Sequence, residues 1–395
     1  ERSLLTVRLL ICAGGTGGGV YPALAVLQHL MAACPPTDPS ALQTMWVGGV
    51  GGMEADLVKR EALAGVQYAA IPAAGVHGVG LRSLPGNLWQ LGRGLLASFG
   101  LLRQFRPDVL LFTGGYVAVP VALAARLSRI GRAVLYVPDI EPGLALKTLA
   151  RFADHIALTT EDSSQYFAGR RSLSVTGYPL RPDLLEAASR LQAEGKAAAC
   201  QAFDLRPELP VLLVFGGSKG SRSINRAVMA ALPDLLQEMQ VLHISGKLDW
   251  AEVEQARLSL SPEQAGRYRL YPYLHEEMAA ALACADLALT RAGASSLGEF
   301  PLFGLPAILA PYPYAWRYQR VNADYLARHG AAEVVEDSDL PDQIVPLVRS
   351  LMTDLPRRQK MAQAMRQLAR PDAAQQIATL LSQAAAPGLL VDRRN

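Results

Sequence analysis

The chain has 395 residues, half of them hydrophobic, with 38 Lys and Arg against 35 Asp and Glu and a formal net charge of +3. That balance gives no reason to expect nucleic acid as a partner, and the length exceeds one ordinary core, so two domains are expected. Four scattered cysteines (Cys12, Cys34, Cys200, Cys284) without a C-x-x-C, and six histidines without ligand spacing, disfavour a disulfide scaffold and a zinc site and point to a reducing cytoplasm.

No run of 18 or more apolar residues marks a transmembrane helix. The start, Glu1-Arg2-Ser3-Leu4, has neither a methionine nor the long apolar stretch of a signal peptide, and reads as a trimmed start or a fragment.

An apolar run from Val7 to Ala13 enters Gly14-Gly15-Thr16-Gly17-Gly18-Gly19, and an amphipathic run from Ala23 to Leu30 leaves it. Strand, glycine turn, helix is the expected order. Glycines let a backbone approach a ligand closely, and the free N–H groups at a helix start favour an anion. A tight turn without a ligand is the alternative. No Gly-Lys-Ser/Thr follows, so this is not a P-loop.

Strands are expected at Thr44 to Gly49 and Gln67 to Ile71, with a helix over Met53 to Ala64 between them. A glycine-rich loop from Pro72 to Gly80 holds His77. Asn87 to Phe105 has helical length, many leucines, Trp89, Arg93 and Arg103, with Arg82 and Arg106 at its flanks. It reads either as a core helix or as a segment resting on an anionic membrane surface. Val109 to Phe112 ends in Thr113-Gly114-Gly115-Tyr116, a second glycine-ended strand, and a helix follows over Ala118 to Leu127. A strand at Ala133 to Val137 closes on Pro138-Asp139-Ile140-Glu141, and further strands are expected at His155 to Leu158 and Ser172 to Val175. Strands alternating with helices imply a parallel, doubly wound sheet that binds at the carboxyl ends of its strands.

The rhythm breaks at Thr176 to Pro182, before one polar helix over Leu184 to Phe203. Residues 1–176 are therefore expected as the first domain and 177–370 as the second. The second repeats the opening design, with Pro210 to Phe215, Gly216-Gly217-Ser218-Lys219-Gly220 and a helix from Ser223 to Leu235. Strands follow at Gln240 to Ser245, Tyr268 to Tyr271, Leu287 to Thr290 and Pro306 to Ala310. Asp337-Ser338-Asp339 reads as a solvated turn.

Thr290-Arg291-Ala292-Gly293-Ala294-Ser295-Ser296-Leu297-Gly298-Glu299 puts small residues at a helix start, with hydroxyls at Ser295 and Ser296 and a carboxylate one turn later. Such a carboxylate can accept two hydrogen bonds from a ribose diol. A capped helix with Glu299 offsetting its dipole is the competing reading.

These motifs, with Gly177-Tyr178-Pro179-Leu180-Arg181, Asn225, Ser245-Gly246-Lys247, Gly304-Leu305-Pro306, Pro311-Tyr312-Pro313-Tyr314, Gln319 and Asn322, are collinear over roughly residues 7–385. The chain resembles glycosyltransferase family 28, which has the two-Rossmann-domain GT-B fold. The resemblance implies α/β architecture, with two doubly wound domains facing a cleft and a helix over 371–385 packing back on the first.

It also implies transfer of N-acetylglucosamine from UDP-N-acetylglucosamine to an undecaprenyl-linked muramoyl-pentapeptide in peptidoglycan synthesis. The anomeric centre would invert, at the cytoplasmic face of the cell membrane, with no cofactor and no metal. By the same resemblance Arg181 and Ser218 meet the diphosphate-sugar, Leu274 the uracil, Ala294 to Gly298 the phosphates, Glu299 the ribose and Gln319 the sugar. Thr16, Gly17 and Gly18 face them from the first domain. In the family the opening loop ends in a histidine, a candidate general base, where this chain has Gly19. Asp139 stands where the family has an asparagine, and is the nearest substitute base, ahead of His77. Another glycolipid acceptor, or a catalytically silent UDP-sugar-binding homologue, are the alternatives. A UDP-sugar epimerase would be expected to carry an acid/base pair beside the sugar, and none stands out.

Overall fold

The computed structural model describes residues 7–14, 17–34, 41–52, 54–60, 65–73, 84–170, 172–217, 220–314 and 318–385. The chain forms two compact units. One runs to Pro182 and resumes at Asp372, and the other is Asp183–Pro371.

The first unit contains β1 (Val7–Cys12), α1 (Gly17–Ala33), β2 (Leu42–Gly49), α2 (Glu54–Arg60), β3 (Val66–Ile71), α3 (Leu84–Phe105) and β4 (Val109–Phe112). It continues through α4 (Ala118–Ser128), β5 (Arg132–Val137), α5 (Leu144–Leu149), β6 (His155–Leu158), a 3-10 turn (Glu161–Phe167) and β7 (Leu173–Val175). The strands make one parallel sheet in the order β3-β2-β1-β4-β5-β6-β7. Its strands read as continuous apolar runs because both faces are covered. Leu9 and Ile11 of β1 enter one core with Val109 and Leu111 of β4, while Leu10 and Cys12 enter the other with Leu110 and Phe112. The first core also takes Ile377 and Leu381 from α16 (Ala373–Ala385), which packs on α1, β4 and β5.

The second unit holds α6 (Pro182–Glu194), α7 (Lys196–Gln201), β8 (Val211–Phe215), α8 (Arg222–Leu235), β9 (Gln240–Ile244), α9 (Trp250–Arg257), α10 (Pro262–Gly266) and β10 (Tyr268–Tyr271). Then come α11 (Met278–Cys284), β11 (Leu287–Thr290), α12 (Ser296–Phe303), β12 (Ala307–Leu309), α13 (Tyr318–Arg328), β13 (Ala332–Val334), α14 (Leu340–Thr353) and α15 (Leu355–Gln367). Its parallel sheet runs β10-β9-β8-β11-β12-β13. The strand order reverses between β1 and β4 in one sheet and between β8 and β11 in the other, which is where open α/β sheets bind ligands.

Two local expectations change. The single helix over 184–203 is two helices, because Gly195 turns the chain at φ 82°. Asp337–Asp339 is a 3-10 turn whose first residue is tied into the sheet's end, as described below. No helix among the described residues is long and apolar enough to cross a membrane.

Candidate active site

In the first unit the turns after β1 and β4 pack against each other. Gly115 has φ 87°, and a Cβ there would lie 2.7 Å from the Gly14 carbonyl oxygen, so the close approach requires glycine. The Thr113 hydroxyl donates to the Gly19 carbonyl at 2.7 Å, and the Trp46 indole donates to Ala13 at 3.1 Å. The opening turn is thus tied at both ends to neighbouring strands.

Helix α1 starts inside the glycine run, at Gly17. Gly18 is exposed, and Pro22 has no N–H to offer its carbonyl. Gly19 is buried, and a Cβ there would lie 3.2 Å from the Thr113 carbonyl oxygen. A side chain at this position would require Thr113 to shift. Thr16 and His77 lie outside the described residues.

Asp139 is half-buried in the turn after β5. Beneath it Tyr136 is fully buried, with its hydroxyl 2.7 Å from Thr159 Oγ1. Thr159 Oγ1 is also 2.9 Å from the carbonyls of Val137 and Pro138, so its one proton serves them and Tyr136 is the donor to it. Burial pushes the Tyr136 phenol well above its ordinary range. The bond to Thr159 opposes that rise, and the charge of Asp139 adds to it. Arg181 stacks over the ring of Tyr21 in α1, 6.0 Å from its centroid.

In the second unit the turn after β8 docks on the turn after β9, where a Cβ at Gly220 would lie 2.4 Å from the Ser245 carbonyl oxygen. Asn225 fastens the two: its amide donates to Ser245 O at 2.8 Å and to Asp249 Oδ2 at 3.0 Å. Because both amide protons are spent, Asn225 Oδ1 must accept from His243 Nε2 at 3.0 Å, and His243 Nδ1 accepts from Tyr268 OH at 2.8 Å. The imidazole is fully buried and held neutral, its pKa pushed down to about 3 by burial. Ser218 lies outside the described residues.

After β11 the chain turns through Arg291 to Ser295. The N–H groups of Ser296, Leu297 and Gly298 bond back to the carbonyls of Gly293, Ala294 and Ser295 at 3.0, 3.1 and 3.0 Å. Among the described residues no backbone carbonyl accepts from Gly293, Ala294 or Ser295, so the open donors lie one turn earlier than the small-residue run suggests. Ser296 spends its hydroxyl on Gly293 O at 2.6 Å, whereas Ser295 Oγ reaches Glu299 Oε2 at 3.3 Å. Gln319 accepts the Tyr312 N–H at 2.9 Å, and Leu274 is buried in the turn after β10 beside the paired rings of Tyr273 and His275.

Arg291 joins three strand ends. It donates to Ala310 O at 2.8 Å and to Ser223 Oγ at 2.7 Å, pairs with Asp337 at 2.5 Å, and lies 5.3 Å over the Tyr312 ring. The Ser223 hydroxyl in turn donates to Asp337 Oδ1 at 2.7 Å.

The N-terminal domain profile of glycosyltransferase family 28 matches residues 9–158, and the C-terminal domain profile matches 211–377. The chain belongs to glycosyltransferase family 28. A relative from Roseiflexus sp. (strain RS-1) is 42% identical over 95% of this chain and 94% of its own. It is named a UDP-N-acetylglucosamine–N-acetylmuramyl-(pentapeptide) pyrophosphoryl-undecaprenol N-acetylglucosamine transferase. The crystal structure of Acinetobacter baumannii MurG is similar at TM-score 0.72 and 25% identity, over 95% of this chain and 99% of that one. A UDP-GlcNAc 2-epimerase from Neisseria meningitidis shares the fold at TM-score 0.68 and 13% identity, over 95% of this chain and 100% of that one.

Within this family 28 chain, sequence reasoning passed over three groups. Glu54 lies within the expected helix over Met53 to Ala64, where nothing in the spacing marks it out. Asp337 was read as solvated, and nothing in its spacing ties it to Arg291. His243 carried no ligand spacing, and only its place in an apolar strand hinted at a buried role.

Proposed function

We propose that the chain moves N-acetylglucosamine from UDP-N-acetylglucosamine to the sugar hydroxyl of an undecaprenyl-diphosphoryl muramoyl-pentapeptide, with inversion. The observation that carries this reading is the 42% identity to the Roseiflexus transferase across nearly the full length of both chains. The donor-side chemistry agrees with it. Open N–H groups at Gly293 to Ser295 offer countercharge to a diphosphate, and Glu299, with Ser295 at its side, offers acceptors to a ribose diol. Arg181 and Ser218 would add charge and a hydroxyl at the diphosphate. Leu274 would meet the uracil through its backbone, and Gln319 the sugar.

In the reaction the acceptor hydroxyl oxygen attacks the anomeric carbon, and the bond from that carbon to the diphosphate oxygen breaks. UDP leaves with the electron pair, and the hydroxyl proton passes to a base. Asp139 is the base in this reading, because Gly19 has no side chain to take the proton. Gly17 and Gly18 bring unencumbered backbone to the reacting groups.

The membrane side of the reading rests on α3. Trp89, Arg93, Leu96, Gly100 and Arg103 follow one another at steps of three and four along one exposed face, with Trp89 70% and Leu96 73% exposed. An apolar stripe edged by arginines suits the interface of an anionic membrane, where a lipid-linked acceptor is held.

The deciding experiment supplies labelled UDP-N-acetylglucosamine and a panel of lipid acceptors. Label should appear in the muramoyl-pentapeptide lipid, and in Asp139→Asn the rate should fall about a hundredfold or more. Because Gly19 and Asp139 both alter the acceptor side, a second reading keeps the donor and changes the acceptor glycolipid. Label in a different lipid alone would establish that one, and donor binding with no transfer at all would leave a silent UDP-sugar-binding homologue.

A further inference from the structure

Behind the opening turn sits a carboxylate with no part in the proton transfer just described. Glu54 begins α2 and is 1% exposed. Its Oε1 accepts the Gly49 N–H at 2.7 Å. Three glycines, one after β1 and two at the end of β2 and its turn, close around it. A Cβ at Gly14 would lie 2.7 Å from Oε1, one at Gly52 2.2 Å from Oε1, and one at Gly48 2.8 Å from Cγ. Real Cβ atoms do not approach within 3.0 Å, so none of the three positions can carry a side chain while Glu54 keeps its place. The charge is felt around it as well. After burial, Glu54 is the next cause lifting the Tyr68 phenol to about 12, and it raises the Cys12 thiol further.

A helix-capping acid needs none of this. An acid in a first helical turn offsets the helix dipole from solvent, and it requires no empty space on a neighbouring strand end. Burying a carboxylate is costly unless its surroundings are built for it. Here they are, and one wall of the socket is Gly14 of the opening turn. Gly14 also borders Gly115, where a Cβ would lie 2.7 Å from the Gly14 carbonyl oxygen. The position of that turn is therefore set between Glu54 and the β4 turn.

We propose that Glu54 is a positioning residue for sugar transfer. Its carboxylate locks the turns after β1 and β2 together and so sets where Gly17 and Gly18 present their backbone. The inference rests on the transfer reading above, and its test includes a readout that does not need transfer.

Two substitutions approach the socket from opposite sides. Gly14→Ala pushes a methyl against the flexible end of Glu54, and Glu54→Asp withdraws the carboxylate by one methylene. Each alone should lower kcat about a hundredfold, the usual cost of a displacement near 1 Å. The UDP Kd, read by calorimetry, should stay within about twofold of wild type, because Glu54 is not among the groups assigned to UDP. The double variant Gly14→Ala/Glu54→Asp should recover about tenfold over Gly14→Ala, since the shorter acid makes room for the methyl. Independent defects would multiply instead. Glu54→Gln keeps the volume and replaces an acceptor with a donor, and it should speed amide hydrogen exchange at Gly17 to Val20.

Wild-type kcat in Glu54→Gln or Gly14→Ala would overturn the proposal, as would a double variant no faster than the single ones. Loss of UDP binding in Glu54→Gln would overturn it too, by making Glu54 a folding residue. If the wild-type chain transfers to no acceptor, the transfer reading fails by itself. The exchange measurement then decides whether Glu54 holds the turn, and unchanged exchange sinks the inference.

Discussion

Replacing Asp337 with alanine tests whether Arg291 is the fastening of the second unit's strand ends. The substitution removes a carboxylate 2.5 Å from the guanidinium and the acceptor of the Ser223 proton. The Arg291 side chain is only 8% exposed, so its charge would be left without a counter-ion in a poorly hydrated place. Breaking a buried pair from one side costs about 3–5 kcal/mol. Arg291 keeps Ala310 O, Ser223 Oγ and the Tyr312 ring, which places the expected loss at about 3 kcal/mol, the lower end of that range.

For a unit of this size that corresponds to a Tm lower by roughly 6–12 °C. Urea unfolding should show a lower midpoint at unchanged slope, because the surface exposed on unfolding does not change. The companion variant Arg291→Met/Asp337→Leu exchanges the charges for apolar volume and should recover most of the stability, as such replacements commonly do. Its UDP affinity should nonetheless fall below wild type, because the Arg291 bonds to Ala310 and Ser223 that align three turns are gone. A loss below about 1 kcal/mol in Asp337→Ala would refute the reasoning, since that is the range of a solvent-exposed pair.

Three further outcomes are expected. Glu299→Ala should weaken UDP binding by about 1–3 kcal/mol, the cost of leaving buried hydrogen-bonding groups unpaired, and an unchanged calorimetric Kd would remove the ribose role. His243 binds its proton less readily folded (about 3) than unfolded (6.5), so the unfolded chain holds more protons between those values. Stability should therefore fall as pH drops from about 6.5 toward 3, by up to about 1.4 kcal/mol per pH unit, and a His243→Gln variant should lose that part of the slope in acid unfolding curves. Trp89→Ser/Leu96→Ser should reduce sedimentation with anionic phospholipid vesicles while leaving the UDP Kd unchanged, and undiminished sedimentation would count against α3 as the membrane face.

The strands were legible because a parallel sheet covered on both faces needs continuous apolar runs, and Val109–Phe112 or Leu287–Thr290 can be little else. Helix starts were less so. Three glycines at Gly17 to Gly19 argue locally against a helix, and the structure overrides that preference by packing Gly19 on Thr113 and Tyr21 on Gly17. The Ser295–Glu299 pair was legible from a spacing of one turn. The Arg291–Asp337 pair was not, because it joins two strand ends through the fold and leaves no periodic mark. Glu54 was hidden differently, since the glycines that make room for it also look like ordinary turn residues.

The opening turn and the turn after β11 begin from the same sequence logic, a strand running into small residues and a helix, yet they differ in electrostatics. At Gly293 to Ser295 no backbone carbonyl among the described residues accepts the N–H groups, so they can donate to an anion. At Gly14 the nearest side-chain group is the Glu54 carboxylate, against the position a Cβ would take. A diphosphate pressed into that first turn would face a like charge at close range. Like charges repel, and a helix N-terminus returns only about 0.3–2 kcal/mol to an anion. A neutral, hydroxyl-bearing sugar carries no such penalty and can use the turn's backbone. Glycine content alone therefore does not mark a phosphate site. What occupies the space the glycines leave decides whether the turn favours the leaving diphosphate or the sugars.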